Sequence, residues 1–278
     1  DLIRDIALGT DNAERKAYSN KGSYGKILII AGNETMSGAA CFAAEAALRM
    51  GAGLVKVLSD IQNRPVLQTK LPEILFGERK DLKESLNWCD CILFGPGVGV
   101  SEETKEMLEM ILDKGTKPLV IDADGLNTIS RYDMEINYPH GLILTPHLME
   151  AARLMSCDIA QMKEDLCQNA YDLAEKYHCI AVLKDAATIV AQEGDLVYIN
   201  QSGNDGMATG GSGDVLAGMI TGLLGGGLSV HEAAVHGVYL HGLAGDHARR
   251  DLGAYSMIAS DIITHIKDVT GGNYEPVL

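Results

Sequence analysis

One segment of the chain combines closely spaced glycines with an acidic residue. Residues 206–214 read GMATGGSGD and run directly into the apolar sequence VLAG. A glycine-rich loop at the start of a helix exposes backbone N–H groups and the positive end of the helix dipole, which together form an anion site. Such a site suits the charge that develops on a phosphoryl group during transfer. Asp214, in the first turn, could accept the proton of an attacking hydroxyl, or it could simply cap the helix.

The two common phosphate-binding motifs are missing from the sequence. No Gly-Lys-Ser or Gly-Lys-Thr follows the glycines of residues 206–213, which excludes a Walker A loop. Gly32 ends an apolar run but does not open a Gly-x-Gly-x-x-Gly fingerprint. The anion site is therefore expected to be of another kind.

Four further polar residues follow apolar runs, where a side chain can reach a ligand. His147 could contact a phosphate or an amide, or cap the next helix. Lys184 could offset phosphate charge, or extend its head into solvent. Asp122 and Asp124 could help to hold Mg²⁺ through water, but bonds to the backbone of a turn are the favoured alternative.

The elements that must position these residues alternate along the chain. The predicted strands are residues 26–31, 54–58, 89–94, 119–122, 142–144 and 180–184, followed by a hairpin of 188–191 and 196–199. The predicted helices are residues 37–50, 101–114 with Ser101 as N-cap, 161–177, 214–224, 231–250 and 256–269. This alternation predicts an α/β fold with a mainly parallel sheet covered on both faces. We expect one domain over residues 1–278, with residues 1–20 as a poorly packed lead-in.

Composition limits the kind of partner. The formal net charge of -15 argues against a nucleic acid or an anionic membrane surface, but a helix start can still hold a phosphate in an acidic protein. No apolar stretch is long enough to span a bilayer, and the N-terminus lacks a signal-peptide core, so we expect a cytoplasmic protein. The six cysteines and the residues His236 and His241 are expected to pack in the core or at an interface rather than to bind metal.

A set of short motifs matches a known family in order. The set comprises residues 21–26 (KGSYGK), 31–32 with 37–39 (AG and SGA), 95–99 (GPGVG), 122–124 (DAD), 144–147 (LTPH), 182–184 (VLK), 206–218 and 238–242 (VYLHG). Residues 206–218 resemble the signature of ribokinase-like small-molecule kinases. Within that superfamily the chain is similar to the NAD(P)H-hydrate dehydratases, and the match extends from about residue 21 onward. The resemblance implies a three-layer α/β/α ribokinase-like fold.

The resemblance also implies a reaction. In this family ATP or ADP phosphorylates the hydroxyl group of a nicotinamide ring that has taken up water. Elimination of phosphate then restores NADH or NADPH, which is a metabolite-repair reaction performed by a lyase. The implied partners are the S form of hydrated NADH or NADPH, an adenine nucleotide and Mg²⁺, in a homo-oligomer for which a tetramer is one option.

Site residues carry over from the family position by position. The positions that contact the hydrated dinucleotide match Ala39, Gly97, His147 and Asp214, and Asp214 is the expected catalytic base. The nucleotide contacts match Lys184, Asp185, Ala186, Ala187, Thr188 and Gly213. No side chain is assigned as a direct metal ligand.

Two departures from the family pattern concern these positions. Leu148 and Met149 stand where the family often has a glycine after the histidine, and Asp185 stands where it usually has Gly or Ser.

Two other interpretations of the function stay open at this stage. One is a ribokinase-like kinase of a small alcohol or vitamin precursor, which would use Asp214 in the same way. The other is a non-catalytic dinucleotide-binding regulator, which would not need a base at position 214.

Overall fold

The computed structural model describes residues 18–195 and 197–270. Nine strands form one sheet in this part of the chain. They are β1 (Lys26–Ile30), β2 (Leu54–Ser59), β3 (Leu75–Glu78), β4 (Cys91–Phe94), β5 (Leu119–Ile121), β6 (Leu142–Leu144), β7 (Ile180–Leu183), β8 (Ile189–Ala191) and β9 (Tyr198–Ile199).

The sheet is parallel over seven of its strands. Its order is β3-β2-β1-β4-β5-β6-β7-β8-β9, with parallel pairing from β3 through β7 and antiparallel pairing of β8 and β9 at one edge. The carboxyl ends of seven strands therefore meet at one edge of the sheet, where ligands bind in such folds.

Eleven helices accompany these strands within the described ranges. They are α1 (Ser37–Arg49), α2 (Arg64–Lys70), α3 (Leu82–Trp88), α4 (Glu102–Lys114), α5 (Asp124–Arg131), α6 (Leu148–Met155), α7 (Ile159–Glu164), α8 (Leu166–Tyr177), α9 (Ser212–Gly225), α10 (Val230–Leu252) and α11 (Ala259–Thr270). Helices α3 to α8 cover one face of the sheet, and α1, α2, α9 and α10 cover the other. Helix α11 packs outside the second layer.

Burial on both faces explains why the strands are continuous apolar runs. In β1, Leu28 and Ile30 join the core under α3 to α8, whereas Ile27 and Ile29 join the core under α1 and α9. All four side chains are 0% exposed. Successive side chains point to opposite faces of a strand, so each position of the run is needed for one of the two cores.

Helices α1 and α9 pack against each other through their backbones. A Cβ atom added at Gly218 of α9 would lie 2.3 Å from the backbone oxygen of Ala43 in α1. One at Gly222 would lie 2.6 Å from Met50 Cβ and 3.1 Å from the backbone oxygen of Ala47. Glycine is required because any side chain here would push the helices apart.

The sequence predicted most elements with bounds that differ from the observed ones by up to three residues. The helix over residues 161–177 was wrong, because two helices, α7 and α8, occupy this region. Asp165 separates them: it has φ -147° and ψ 95°, and its Oδ1 accepts a 2.9 Å hydrogen bond from Gln168 N as the cap of α8. Strand β3 and helices α2, α3 and α5 were not predicted, and no bounds were predicted for α6. Leu196 of the predicted hairpin, and residues 1–17 of the predicted lead-in, lie outside the described residues.

The prediction of an α/β fold with a mainly parallel, doubly covered sheet is confirmed. Among the residues that the structure describes, no helix has the length and apolar character needed to cross a bilayer.

Candidate active site

The start of α9 positions Asp214. The N-cap position is held by Gly211, which has φ 93° and offers no side-chain cap. Asp214 lies in the first turn of α9, and no hydrogen bond to its carboxylate from another described residue is found. Asp214 is therefore not the capping residue, and its carboxylate is available to a ligand.

A buried ion pair lies beside this helix start. Lys184 follows β7, and its Nζ donates a 2.7 Å hydrogen bond to Asp122 Oδ1 at the end of β5. The same oxygen accepts a 2.7 Å hydrogen bond from Thr145 Oγ1. The side chain of Asp122 is 1% exposed, and the side chain of Lys184 is 19% exposed. The Lys184 head therefore does not extend into solvent, and it lies 3.3 Å from where a Cβ on Gly213 would be.

Burial and the surrounding charges determine the pKa of Asp214. Burial raises the pKa of its carboxyl group from the usual 3.8 to about 7, and the nearby carboxylate of Asp122 adds to the rise. The ammonium of Lys184 opposes the rise, while Asp124 and Glu150 add to it. A carboxylate with a pKa near neutrality can both take and return a proton under ordinary conditions. These five side chains, together with His147, are called the strand-end site below.

The turn after β5 directs two aspartates to different partners. Ala123 has φ 49°, a conformation that a non-glycine residue rarely adopts. This turn leaves Asp122 bonded to Lys184, while Asp124 Oδ2 accepts a 2.8 Å hydrogen bond from Gly99 N. Asp124 thus makes the kind of backbone bond that was expected as the alternative to holding Mg²⁺, and the other carboxylate oxygen is not used in this bond. Asp122 instead has side-chain partners, which the sequence did not predict.

His147 caps α6. Its Nδ1 accepts hydrogen bonds from Met149 N at 3.1 Å and Glu150 N at 3.2 Å, and Glu150 Oε2 accepts one from His147 N. Capping is one of the two roles that the sequence left open for His147, and the contact with a ligand stays a prediction. Leu148 and Met149 occupy the first turn of this helix. Burial, followed by the charge of Lys184, lowers the pKa of the imidazole. The ring is therefore neutral at pH 7, with its proton on Nε2, and half of the side chain faces solvent.

Ala39 and Gly97 lie next to each other although they follow different strands. A Cβ on Gly97 would be 3.0 Å from Ala39 Cβ and 2.9 Å from Met36 Cβ. Gly97 also has φ 62°, which favours glycine. The backbone at residue 97 thus contacts the first turn of α1.

The predicted nucleotide segment divides into two parts. Lys184 and Gly213 lie close together, as described above. Asp185, Ala186 and Ala187 are exposed, and Thr188 Oγ1 donates a 3.5 Å hydrogen bond to Asp185 O. The negative charge of Asp185 is therefore on the surface.

His241 lies behind the glycine-rich loop. It is 8% exposed, and its Nε2 is 3.4 Å from Ser212 Oγ. Burial lowers the pKa of the imidazole to about 4, so it is neutral at pH 7. The prediction of a core histidine is confirmed at this position, whereas His236 is only half-buried.

The donor set fits Mg²⁺ only together with a nucleotide. No cluster of three metal-capable side chains occurs in the described ranges. Asp122 is committed to Lys184 and Thr145, and Asp124 uses one oxygen for Gly99 N. Magnesium commonly takes one or two carboxylates, several waters and the phosphates of its nucleotide, and the carboxylates near Asp214 are compatible with this pattern.

Comparison with known proteins decides the family. The family profile for NAD(P)H-hydrate dehydratase matches residues 27–268. The chain belongs to the NAD(P)H-hydrate dehydratase family. The predicted family is thereby confirmed.

Relatives of two lengths match the chain. The bifunctional NAD(P)H-hydrate repair enzyme Nnr of Escherichia coli is 39% identical over 94% of this chain and 51% of its own length. The ADP-dependent (S)-NAD(P)H-hydrate dehydratase of Neisseria meningitidis is 37% identical over 89% of this chain and 86% of its own length. The chain thus spans about half the length of the bifunctional relatives.

Solved structures share the fold. The ADP/ATP-dependent NAD(P)H-hydrate dehydratase of Bacillus subtilis, co-crystallised with ATP and Mg²⁺, has a TM-score of 0.83 and is 28% identical over 92% of each chain. A ribokinase-like superfamily protein of Enterococcus faecalis has a TM-score of 0.85 and is 30% identical over 96% of this chain and 94% of that one. The predicted three-layer ribokinase-like fold is confirmed.

Proposed function

We propose that this chain is a lyase that removes water from the S form of hydrated NADH and NADPH, with ATP or ADP as phosphoryl donor. The observation that carries the proposal is the Asp214 carboxyl group, whose pKa is raised to about 7 at the start of α9. Membership of the family supports this substrate, and the names of the relatives agree with it. The reaction would repair a damaged cofactor.

Asp214 is the proposed general base. Its carboxylate takes the proton of the ring hydroxyl while that oxygen bonds to the terminal phosphorus and the bond from phosphorus to the nucleotide leaving group breaks. The N–H groups at the start of α9 and the ammonium of Lys184 stabilise the negative charge on the phosphoryl oxygens. The ring carbon–oxygen bond then breaks and phosphate leaves with the bonding electrons. The departing phosphate takes a proton from the adjacent carbon, and the electrons of that carbon–hydrogen bond form the double bond.

Magnesium is part of the proposal. Bound to the nucleotide phosphates, it would supply charge neutralisation that the acidic strand-end site lacks. Asp124 would reach it through water with the oxygen not bonded to Gly99 N. We expect excess chelator to abolish turnover and added Mg²⁺ to restore it. Full activity in chelator would contradict this part of the proposal.

The proposed binding roles divide the site between two ligands. Ala39, Gly97 and His147, with Asp214, would contact the hydrated dinucleotide. The contact between Gly97 and the first turn of α1, and the half-exposed neutral ring of His147, support this role. The adenine nucleotide would contact residues 184–188 and Gly213, which is supported by the proximity of the Lys184 ammonium to Gly213.

We also propose a cytoplasmic homo-oligomer without nucleic acid or membrane partners. All six cysteines are free thiols, which supports a reducing compartment. The excess of acidic residues supports the exclusion of nucleic acid. Sedimentation of the purified protein would test the oligomer, and a monomer at micromolar concentration would contradict it.

The test is recovery of reduced-nicotinamide absorbance from hydrated NADH and NADPH. Separate reactions would contain ATP, ADP or no nucleotide, and the S and R forms would be supplied individually. We expect recovery only from the S form and only with nucleotide. A stable phosphorylated product would favour the small-alcohol kinase, and tight binding without turnover would favour the regulator; either result would contradict the proposal.

A further inference from the structure

Arg79 lies in a short helical turn, Arg79–Asp81, that follows β3. Its side chain is only 11% exposed although the turn is at the surface. None of the motifs that carry the family resemblance includes it. The guanidinium group reaches from the sheet edge to the loops at the carboxyl ends of β1 and β4.

The guanidinium group joins these two loops directly. Nη2 donates to Gly32 O at 3.0 Å and to Val98 O at 3.1 Å. Gly32 O belongs to the loop between β1 and α1, and Val98 O belongs to the loop between β4 and α4. A single nitrogen therefore binds carbonyl oxygens from both loops, and hydrogen bonds from a charged donor are stronger than those from a neutral one.

The positive charge of Arg79 is already balanced. Nη1 donates to Glu103 Oε2 at 2.9 Å, and Nη2 lies 3.3 Å from Asp60 Oδ2. A guanidinium paired with two carboxylates is poorly suited to bind the phosphates of a ligand. Its contacts indicate a role in fixing the protein itself.

Other side chains hold the first loop but act on it alone. Ser59 Oγ donates to Gly32 O at 3.2 Å, and Asn63 Nδ2 donates to Asn33 O at 2.9 Å. Gly32 N in turn donates to Pro96 O at 2.8 Å, which brings the two loops side by side. Among these side chains, Arg79 is the one that contacts both loops.

The same two loops lead to Ala39 and Gly97. Gly97 directly precedes Val98, whose carbonyl Arg79 binds, and the loop that contains Gly32 leads into the first turn of α1 with Ala39. A shift of one loop relative to the other would change the contact between Gly97 and Ala39. This contact is close, because a Cβ atom on Gly97 would lie only 3.0 Å from Ala39 Cβ. Lys184 follows β7 and Gly213 lies in α9, so neither belongs to these two loops.

We infer that Arg79 is a positioning residue that sets the spacing of Ala39 and Gly97, and hence affinity for the hydrated dinucleotide but not for the adenine nucleotide. This inference rests on the proposed function, since it needs those two residues to contact the dinucleotide. Small displacements of positioning groups can cost up to about a hundredfold in rate or affinity.

The test compares Arg79→Gln and Arg79→Lys with the wild-type protein. We expect both variants to raise the KM for S-form hydrated NADPH about tenfold, Gln more than Lys, with KM for ATP and kcat within about twofold of wild type. NADPH fluorescence gives a readout without turnover, and its Kd should rise in parallel. Arg64→Gln is the matched control, because Arg64 is exposed and bonds Gln68 through Nε at 2.9 Å.

The outcomes separate this inference from the proposed function. Absence of wild-type turnover would overturn the function, and with it this inference. Normal wild-type turnover with an unchanged dinucleotide KM in Arg79→Gln would overturn the inference alone. A similar rise in both KM values together with a fall in kcat would also overturn it, as would failure of both variants to fold. In either case Arg79 would support the whole fold.

Discussion

Lys184 and Asp122 form a buried ion pair, with 2.7 Å between Nζ and Oδ1, directly beside the start of α9. The pair joins the ends of β5 and β7, which are not adjacent because β6 lies between them. Burial alone would lower the pKa of Lys184, but the charges of Asp122 and Glu150 raise it. The ammonium therefore stays charged at neutral pH and lies next to Gly213, where a phosphoryl group would develop charge.

Asp214→Asn should remove the proposed base while preserving its shape. We expect kcat to fall by about a hundredfold or more, because a general base typically contributes that much, and nucleotide affinity to change little. Asp205→Asn is the matched control, since Asp205 is an exposed aspartate that pairs with Arg249 at 2.8 Å. Near-normal kcat in Asp214→Asn would refute the assignment.

The same substitution should stabilise the protein at high pH. The folded-state pKa of Asp214, about 7, lies above its usual value of 3.8, so the folded state favours the protonated form. This contribution to stability is present below pH 3.8 and is lost as pH rises through 7. Asp214→Asn should therefore raise the free energy of unfolding at pH 8 by roughly 1–3 kcal/mol relative to wild type. In urea unfolding at pH 3.5 the two proteins should differ little; a constant difference across pH would argue against the raised pKa.

Lys184→Gln should shift the acid limb of the pH–rate profile. In the wild-type protein kcat/KM should rise with pH around the Asp214 pKa of about 7, because the base acts when deprotonated. The carboxylates of Asp122, Asp124 and Glu150 raise that pKa and Lys184 lowers it, so loss of the ammonium should move the limb to higher pH. Lys163→Gln, at an exposed position, is the control. A limb that moves to lower pH would contradict this electrostatic account.

Asp122→Asn should destabilise the protein because it leaves a buried ammonium without its counter-ion. We expect a loss of about 3 kcal/mol in the free energy of unfolding. Thr145→Val removes only the hydroxyl that donates to Asp122 at 2.7 Å and should cost about 1 kcal/mol. Equal losses in the two variants by denaturant titration would show that the charge of Asp122 is not the important term.

Gly97→Ala should weaken dinucleotide binding. The added Cβ would meet Met36 Cβ at 2.9 Å and Ala39 Cβ at 3.0 Å, in a backbone conformation with φ 62°. We expect KM for the hydrated dinucleotide to rise about tenfold or more. Gly38→Ala is the matched control, because its Cβ would meet nothing within 4 Å and alanine favours the helix. A KM unchanged in Gly97→Ala would contradict the proposed contact.

Eight of the nine described strands could be predicted from local sequence, and the glycine-rich loop could be recognised from its composition. A strand that is buried on both faces has a continuous apolar sequence, as in β1, β4 and β7. Residues 206–214 are recognisable by their high glycine content. The break at Asp165 was missed because the helical pattern continues across it. Only the conformation of Asp165 as a cap distinguishes two helices from one.

Long-range partners could not be predicted in this way. Asp122 and Lys184 are 62 residues apart, and the sequence around each of them does not indicate that the two are in contact. Each was recognised as a polar residue after an apolar run, which was a valid signal for its position but not for its partner. No signal in the sequence indicated the contacts of Arg79 with the two loops, because they are made to backbone carbonyls, which any residue supplies.

The backbone contact between Gly218 and Ala43 also has a thermal consequence. Ala39 and Asp214 lie in the first turns of α1 and α9, so this contact helps to set the separation of the two helices that carry them. Side chains between two helices can change rotamer on warming, which changes the distance between the helices. A glycine that packs against a carbonyl oxygen has no side-chain rotamers. The separation of α1 and α9 should therefore stay nearly constant from low temperature up to the onset of unfolding.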